Sequence, residues 1–278
     1  ARRNGAKAGY EFMTIGRLFL GTGWKMNKTV REAVDYTYRL MAHLDSIPGQ
    51  DRFQLFVLPP FTAIEAVKRV AGGRFWVGAQ NMHWAKQGAF TGEISAPMLS
   101  ELGVDLVELG HAERRMYFNE TDEAIHRKVE TALEFNIRPL VCVGEQREER
   151  DRGAGRDVVE QQVRRAFQGS PAPSQLMVAY EPVWAIGERG ITATADDLRV
   201  MQEHIRDILA ELFSASAASI PVLYGGTVNE MNAVSLLLKG GVDGLFVGRS
   251  AWQADGFAGI IRACVNAKIS STTGVSSS

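Results

Sequence analysis

The chain is short of cysteine, of long apolar runs and of net charge. Its 278 residues include two cysteines, Cys142 and Cys264, which lie far apart. This excludes a disulfide framework and a zinc-binding spacing, and it favours a reducing, cytoplasmic location. No apolar run approaches the roughly 20 residues that a membrane span needs. Lys and Arg number 31 against 32 Asp and Glu, so the chain has no global basic field that would attract nucleic acid or an anionic membrane.

The remaining composition is that of a globular protein. Apolar residues make up 45% of the chain, which is enough for a sizeable core. Residues 1–12 are small and basic and are predicted to be a leader added in cloning, while the Ser- and Thr-rich residues 269–278 are predicted to be a disordered tail. No linker-like change of composition divides residues 13–268, which predicts a single domain.

Short apolar runs alternate with amphipathic segments through this domain. The runs are continuously apolar, as expected of parallel strands that are buried on both faces. Eight such pairs, at a mean spacing of about 32 residues, predict a single (β/α)8 barrel. The predicted strands are residues 18–21, 53–58, 76–79, 106–110, 139–143, 176–180, 221–224 and 244–247. The predicted helices begin near Thr29, Thr62, Ala96, Glu120, Arg156, Ala195, Glu230 and Phe257.

A doubly wound open sheet is the alternative fold. Such a sheet usually carries a G-x-G-x-x-G turn after its first strand. Residues 21–26 are Gly-Thr-Gly-Trp-Lys-Met, so the third glycine is missing and dinucleotide binding is disfavoured. The arginines within residues 147–152 alternate with acidic residues, which predicts a solvated helix face rather than a nucleic-acid site.

Polar residues follow several predicted strands, at the edge where a barrel of this kind has its active site. Lys25 follows the first strand and can attract an anionic substrate as a point charge. His111 follows the fourth strand and can act as an electrophile or proton shuttle, while Glu113 can position the Lys25 ammonium. Glu181 follows the sixth strand among apolar residues, where burial favours a general base. Each residue taken alone also fits a structural role, such as a solvated lysine or a glutamate paired with an arginine.

Glycine-rich turns follow the last two predicted strands, at residues 224–228 and 247–250. Exposed backbone amides ahead of short helices bind phosphate, and this fold usually binds phosphate after strands seven and eight. Residues 185–194, with glycines at 187 and 190, are predicted to form a mobile lid. Together these features suit proton abstraction next to a carbonyl in a small phosphorylated ketose or aldose. The sequence has no obvious metal triad and no Ser/His/Asp or Cys/His set.

At these motifs the chain resembles triosephosphate isomerase, from about residue 19 to residue 263. Residues 24–27, 110–115, 180–187 and 224–226 occur in the family's order and spacing. The resemblance implies a TIM barrel that needs no cofactor and no metal. It implies that Glu181 moves a proton between C1 and C2 while His111 polarises the carbonyl, and that Lys25 binds the substrate electrostatically with support from Glu113. It also implies that the phosphate is held by Gly187, Thr227 and Gly248.

The chain departs from the family pattern at positions that would contact substrate or form the lid. Gly23 replaces an asparagine, Ala112 replaces a serine, Arg249 replaces a glycine, and the lid is about one residue longer. Gly23 is expected to leave room for about one hydroxymethylene group, and Arg249 to grip phosphate or act on the lid through Glu188. With residues 26–29 and 81–84, these features resemble the branch of the family that acts on four-carbon ketose phosphates in erythritol breakdown. The reaction of that branch converts L-erythrulose 1-phosphate to D-erythrulose 4-phosphate.

Three other functions remain open from the sequence. Ordinary triosephosphate isomerase, in glycolysis and gluconeogenesis, acts on dihydroxyacetone phosphate and is the main alternative. A Schiff-base aldolase with Lys25 as nucleophile is disfavoured, because Glu113 would keep that amine charged. A non-enzymatic binding barrel would have no chemical reason to keep the whole set of reactive residues.

The long segment after the third predicted strand, residues 80–93, is unusually apolar for a loop. A free apolar loop in water is unfavourable, so the segment is expected either to contact a partner or to fold back on its own barrel. By resemblance it inserts beside a neighbour's active site in a homodimer. This would make Gln80 and Thr91 part of a dimer loop, with Thr91 near the partner's lysine.

Overall fold

The computed structural model describes residues 18–185 and 193–273, with side chains described up to residue 267. Within these ranges eight parallel strands form one sheet in the order β3-β2-β1-β8-β7-β6-β5-β4. A bridge between Ala79 and Val107 joins the two ends of the sheet, where the Ala79 amide donates to the Leu106 carbonyl at 3.0 Å. The predicted (β/α)8 barrel is therefore confirmed.

The strands lie close to their predicted positions, with limits that match or differ by one or two residues. They are β1 (Leu18–Gly23), β2 (Phe53–Leu58), β3 (Trp76–Val77), β4 (Leu106–Leu109), β5 (Arg138–Val143), β6 (Met177–Tyr180), β7 (Val222–Tyr224) and β8 (Gly244–Val247). The parallel register, for example Leu20 opposite both Leu55 and Leu245, brings the carboxyl ends of all eight strands to one end of the barrel.

The described residues form ten helices, eight of which begin within three residues of a predicted start. They are α1 (Val30–Asp45), α2 (Ile64–Ala71), α3 (Ala96–Glu101), α4 (Ala112–Tyr117), α5 (Asp122–Glu134), α6 (Arg147–Asp151), α7 (Gly155–Phe167), α8 (Ala195–Phe213), α9 (Ala233–Lys239) and α10 (Ala254–Thr273). Thr29 caps α1, since its hydroxyl accepts from the Glu32 amide and the Glu32 carboxylate accepts from the Thr29 amide. The short helix α4, directly after His111, is an element that the hydrophobic pattern did not predict.

Side chains alternate between two apolar layers along each strand. Phe56 and Leu58 face the barrel interior, whereas Val57 between them packs under the surrounding helices. In β1, Gly21 makes room for this interior, because a Cβ there would lie 2.0 Å from the Phe56 ring. Strand β4 breaks the rule, since its inward positions are Leu106 and the carboxylate-bearing Glu108.

The predicted boundaries of the domain are tested only in part by this fold. Helix α10 continues to Thr273, beyond the predicted domain end at residue 268. The predicted leader, residues 1–12, and the last five residues of the predicted tail lie outside the described residues. In the part of the chain that is described, no helix combines the length and the apolar character that crossing a membrane requires.

Candidate active site

A cavity of about 460 Å³ opens at the carboxyl ends of the strands. Three of its lining residues are the predicted cation, electrophile and base, namely Lys25, His111 and Glu181. The cavity also brings together other residues that were singled out from the sequence, which are Gly23, Gln80, Glu113, Thr227, Gly248 and Arg249. Gly187 and the centre of the predicted lid lie outside the described residues.

Lys25 is held in an unusual backbone conformation, with φ of 53°. A lysine at this φ is strained by about 1–3 kcal/mol, so neighbouring groups must hold it there. The Gln80 side chain does so, because its amide donates to the Lys25 carbonyl at 3.0 Å and to the Leu58 carbonyl at 2.9 Å. The Lys25 ammonium donates to Glu113 Oε1 at 2.7 Å, at the edge of the cavity. Gln80, predicted from the sequence as part of a dimer loop, thus braces the cation within its own subunit.

The His111 ring is oriented by the backbone of the helix that follows it. His111 caps α4, and its Nδ1 accepts a hydrogen bond from the Glu113 amide at 3.1 Å. In a neutral ring the proton therefore lies on Nε2. Nε2 lies 3.5 Å from Glu181 Oε2 and lines the cavity, so the ring can donate a hydrogen bond to a carbonyl oxygen placed there.

Glu181 is a buried carboxylate, with a side chain that is only 3% exposed. Its backbone amide donates to the Val143 carbonyl at 2.7 Å, which fixes it at the end of β6. Gly225 leaves space for it, since a Cβ at residue 225 would lie 2.8 Å from Glu181 Oε1. Burial raises the pKa of Glu181, and the His111 ring and the Lys25 ammonium oppose that rise. Its Oε2 has no hydrogen-bond partner among the described residues, as suits a base that waits for a proton.

The glycine-rich turns after β7 and β8 form the opposite side of the cavity. Gly248 faces open space, because no heavy atom lies within 4 Å of the position that its Cβ would take. Arg249 is exposed at the start of the 3₁₀ helix Arg249–Ala251. The Thr227 hydroxyl donates to the Ala185 carbonyl at 2.6 Å and so holds the start of the lid segment. The backbone amides, rather than this hydroxyl, remain for a phosphate in this arrangement.

The base of the lid segment is anchored by a carboxylate that the sequence did not single out. The buried Glu145 accepts from Trp184 Nε1 at 2.6 Å and from the Tyr180 hydroxyl at 3.1 Å. Its only signal in the sequence is its position just after β5. The segment 186–192 lies between this anchor and the Thr194 cap of α8.

Glu108 is a second buried carboxylate of the cavity that sequence reasoning missed. It lies on β4 with its side chain directed into the barrel, and Cys142 Sγ contacts its Oε1 at 3.7 Å. The signal was present, since a charged residue in an otherwise apolar strand is costly unless it has a role. Burial raises the pKa of Glu108 to about 7; the His111 ring opposes the rise and the Glu181 carboxylate adds to it.

Glu108, His111 and Glu181 also form a group that could ligate a metal ion. One ligand atom from each lies within 4.8 Å of the others. A metal ion bound there would occupy both the base and the electrophile. Metal-free proton transfer requires the Glu181 carboxylate and the His111 ring to be free to contact the substrate. The absence of a metal, expected from the sequence, stays a prediction.

The raised pKa of Glu108 leads to a prediction about stability. The folded state holds this proton to about pH 7, whereas an unfolded glutamate loses it near its ordinary pKa of 4.5. The folded state therefore binds more protons in this window, and its stability falls as the pH rises. We expect Glu108→Gln to remove this contribution, so the variant's Tm minus the parent's should rise by several degrees between pH 4.5 and pH 7.5. Thermal unfolding at both pH values measures it, and an unchanged difference would contradict it.

Comparisons with known proteins identify the family of this chain. The chain matches the family model described as triosephosphate isomerase over residues 18–264. It is 50% identical over 248 residues to a Mesorhizobium japonicum protein named L-erythrulose-1-phosphate isomerase, covering 87% of this chain and 95% of that protein. It is 46% identical over 252 residues to a Brucella abortus protein of the same name, covering 89% and 96%.

A solved structure supports the same assignment. The crystal structure of triosephosphate isomerase from Bartonella henselae superposes with a TM-score of 0.80 at 32% sequence identity, covering 89% of this chain and 98% of that one. The family model and the structural superposition both cover nearly all of the described barrel. The chain is therefore an isomerase that belongs to the triosephosphate isomerase family.

Proposed function

We propose that this isomerase interconverts L-erythrulose 1-phosphate and D-erythrulose 4-phosphate by proton transfer through an enediolate. The observation that carries the proposal is that Lys25, His111 and Glu181 line one cavity. Gly23, which has no side chain, lines the same cavity. The names of the two relatives at 50% and 46% identity support the four-carbon substrate.

The two ketose phosphates differ in which central carbon carries the carbonyl. L-Erythrulose 1-phosphate has its carbonyl at C2. When D-erythrulose 4-phosphate is numbered from its phosphorylated end in the same way, its carbonyl lies at C3. For this substrate the proton therefore moves between C2 and C3, rather than between C1 and C2 as in a triose. One proton leaves C3, another reaches C2, and a hydroxyl proton exchanges between the two oxygens. The atoms balance without an oxidant or a cofactor.

Each side chain has a task that its surroundings support. The unpartnered carboxylate oxygen of Glu181 takes the proton from C3 and returns it to C2. The Nε2 proton of His111 is donated to the carbonyl oxygen as negative charge develops, because Nδ1 is already engaged with the Glu113 amide. The Lys25 ammonium, paired with Glu113 at the edge of the cavity, attracts the phosphorylated substrate. The glycine-rich turns after β7 and β8 offer the amides of Gly226 and Gly248 to the phosphate, since the Gly225 amide already donates to the Tyr180 carbonyl at 2.9 Å.

The second candidate function is ordinary triosephosphate isomerase activity, which the Bartonella henselae structure favours. An isomerase assay with purified protein, comparing L-erythrulose 1-phosphate with dihydroxyacetone phosphate, separates the two. We expect the higher kcat/KM with the four-carbon substrate. A higher kcat/KM with dihydroxyacetone phosphate would assign the protein to the triose reaction instead.

We also propose that the enzyme is a homodimer. In the segment that follows β3, Met82 is fully buried in its own barrel, whereas Phe90 is 44% exposed and Thr91 is exposed. An exposed phenylalanine at a loop tip favours burial against a second copy. The two cysteines are free and buried, which supports a reducing, cytoplasmic location as part of the same proposal.

Phe90→Asp is expected to convert the dimer to a monomer and to reduce activity, because a carboxylate cannot be buried at the interface without a large desolvation cost. Sedimentation velocity and the isomerase assay measure the two effects. Tyr38→Asp, an equally drastic change at an exposed position of α1, is the control and should leave both unchanged. A parent protein that sediments as a fully active monomer at all concentrations would rule out the dimer.

A further inference from the structure

The Glu108 carboxylate is directed into the cavity next to the catalytic pair, although the mechanism above assigns it no task. Glu108, His111 and Glu181 each have a ligand atom within 4.8 Å of the other two. Across the described residues, no lysine, arginine or histidine forms an ion pair with Glu108, and its recorded hydrogen-bond partner is the weak donor Cys142. A buried carboxyl group with so few partners has spare hydrogen-bonding capacity that faces the substrate space.

Residue 23, at the end of β1, leaves this carboxyl group open to the cavity. Gly23 has no side chain, and a Cβ there would lie 3.9 Å from Glu108 Oε2 and 3.3 Å from the Phe246 ring. A longer side chain at residue 23 would occupy the space beside the Glu108 carboxyl group. The absence of a side chain at residue 23 therefore leaves space beside the carboxyl group of Glu108.

The four-carbon substrate presents one group that a triose lacks. Glu181 must reach the proton on one central carbon, and His111 must reach the adjacent oxygen. The additional hydroxymethyl group is bonded to the carbon that loses its proton to Glu181. Because a ligand atom of Glu108 lies within 4.8 Å of those of His111 and Glu181, a substituent on that carbon would be close to the Glu108 carboxyl group.

We propose that Glu108 is a specificity-determining residue that binds the terminal hydroxyl of the four-carbon substrate, in the space left by Gly23. This inference rests on the proposed function. Burial keeps the pKa of Glu108 near 7, so near neutral pH the group can either donate to or accept from a hydroxyl. Binding of the substrate hydroxyl also explains why β4, whose other inward position is apolar, carries a buried carboxyl group, since an unpartnered buried carboxyl group costs stability.

The test is a double-mutant cycle between the side chain and the substrate hydroxyl. The parent and Glu108→Leu are each assayed with L-erythrulose 1-phosphate and with its 4-deoxy analogue. Turnover is followed in heavy water as loss of the proton at C3 and appearance of deuterium at C2, in the numbering of L-erythrulose 1-phosphate, and the same atoms are followed in the 4-deoxy analogue. A hydrogen bond to a charged group is worth about 1.5–3 kcal/mol, so the parent should prefer the hydroxylated substrate by roughly 10- to 150-fold in kcat/KM.

In Glu108→Leu this preference is expected to fall below about threefold, because the hydroxyl has lost its partner. Glu108→Gln, which keeps the shape and the hydrogen-bonding atoms, should retain most of the preference. Met177→Leu is the matched control, since Met177 also faces the barrel interior but does not line the cavity. Its preference should equal that of the parent.

The outcomes distinguish the inference from the function on which it rests. A parent that turns over dihydroxyacetone phosphate but not L-erythrulose 1-phosphate overturns both. If the parent acts on the four-carbon substrate but Glu108→Leu discriminates against the 4-deoxy analogue as strongly as the parent does, the inference alone is wrong. Equal losses on both substrates, with the preference unchanged, would mean a purely structural role. Circular dichroism verifies that each variant is folded, and if Glu108→Leu fails to fold, a preference retained in Glu108→Gln but lost in Glu108→Met decides the question.

Discussion

Shortening the base by one methylene, in Glu181→Asp, is expected to reduce kcat by at least about 100-fold while the fold stays intact. The carboxylate would retreat from the carbon-bound proton by roughly the length of one bond, and a misplacement of about 1 Å can cost a factor of about 100. The position cannot adjust, because the Glu181 backbone is fixed by its hydrogen bond to Val143 and by the close packing of Gly225.

Three variants and the parent protein test this prediction. Steady-state kinetics of Glu181→Asp are compared with those of Glu181→Gln, which cannot accept the proton and should lose more activity. Glu101→Asp makes the same chemical change at an exposed residue of α3 and should match the parent. Circular dichroism and thermal unfolding show whether the fold is retained. Near-normal turnover by Glu181→Asp would remove Glu181 from the role of base.

Restoring the family residues at two positions, Gly23→Asn with Arg249→Gly, is expected to shift substrate preference toward dihydroxyacetone phosphate. One misfit group in a pocket is worth a factor of roughly 10 to 200 in specificity, so the ratio of the two kcat/KM values should change by that order. The backbone at Gly23 does not have a positive φ and so accepts an asparagine. The new side chain must displace the Phe246 ring slightly, from a contact of 3.3 Å, and it would occupy the space beside Glu108.

The ratio is the appropriate measurement, because Arg249 is a cation at the mouth of the cavity and its loss should weaken binding of both phosphates alike. The two single variants separate the effects. Gly23→Asn should carry most of the change in the ratio, and Arg249→Gly should chiefly raise KM for both substrates. A ratio that stays the same in the double variant would mean that neither residue selects between three and four carbons.

Much of this structure could be predicted from the sequence because it depends on local pattern. A parallel strand that is buried on both faces must be apolar along its length, and such runs are visible at residues 53–58 and 244–247, where prediction and structure agree. Lys25, His111 and Glu181, for which we propose these roles, could be singled out because each follows such a strand. The helix starts at Thr29 and Thr194 are marked by capping residues, which are also local.

Contacts between residues that are distant in the sequence could not be predicted in the same way. Gln80 braces Lys25 across 55 positions, and Thr227 reaches Ala185 across 42, although neither link leaves a pattern in the sequence. Such contacts depend on how the barrel closes and how its strands are staggered. The same is true of the proton on His111 Nε2, which is set by one amide that the turn into α4 brings to Nδ1.

The sequence by itself determined the class of fold, the set of reactive groups and the positions at which this chain differs from the family pattern. Only the tertiary structure decided that Gly23 and Glu108 share one space, because strands β1 and β4 are not neighbours in the sheet. The two residues approach each other only across the interior of the closed barrel, where a Cβ at residue 23 would lie 3.9 Å from Glu108 Oε2. Alternation along β4 directs Glu108 inward, but barrel closure alone brings that carboxyl group to the place where a substrate would lie.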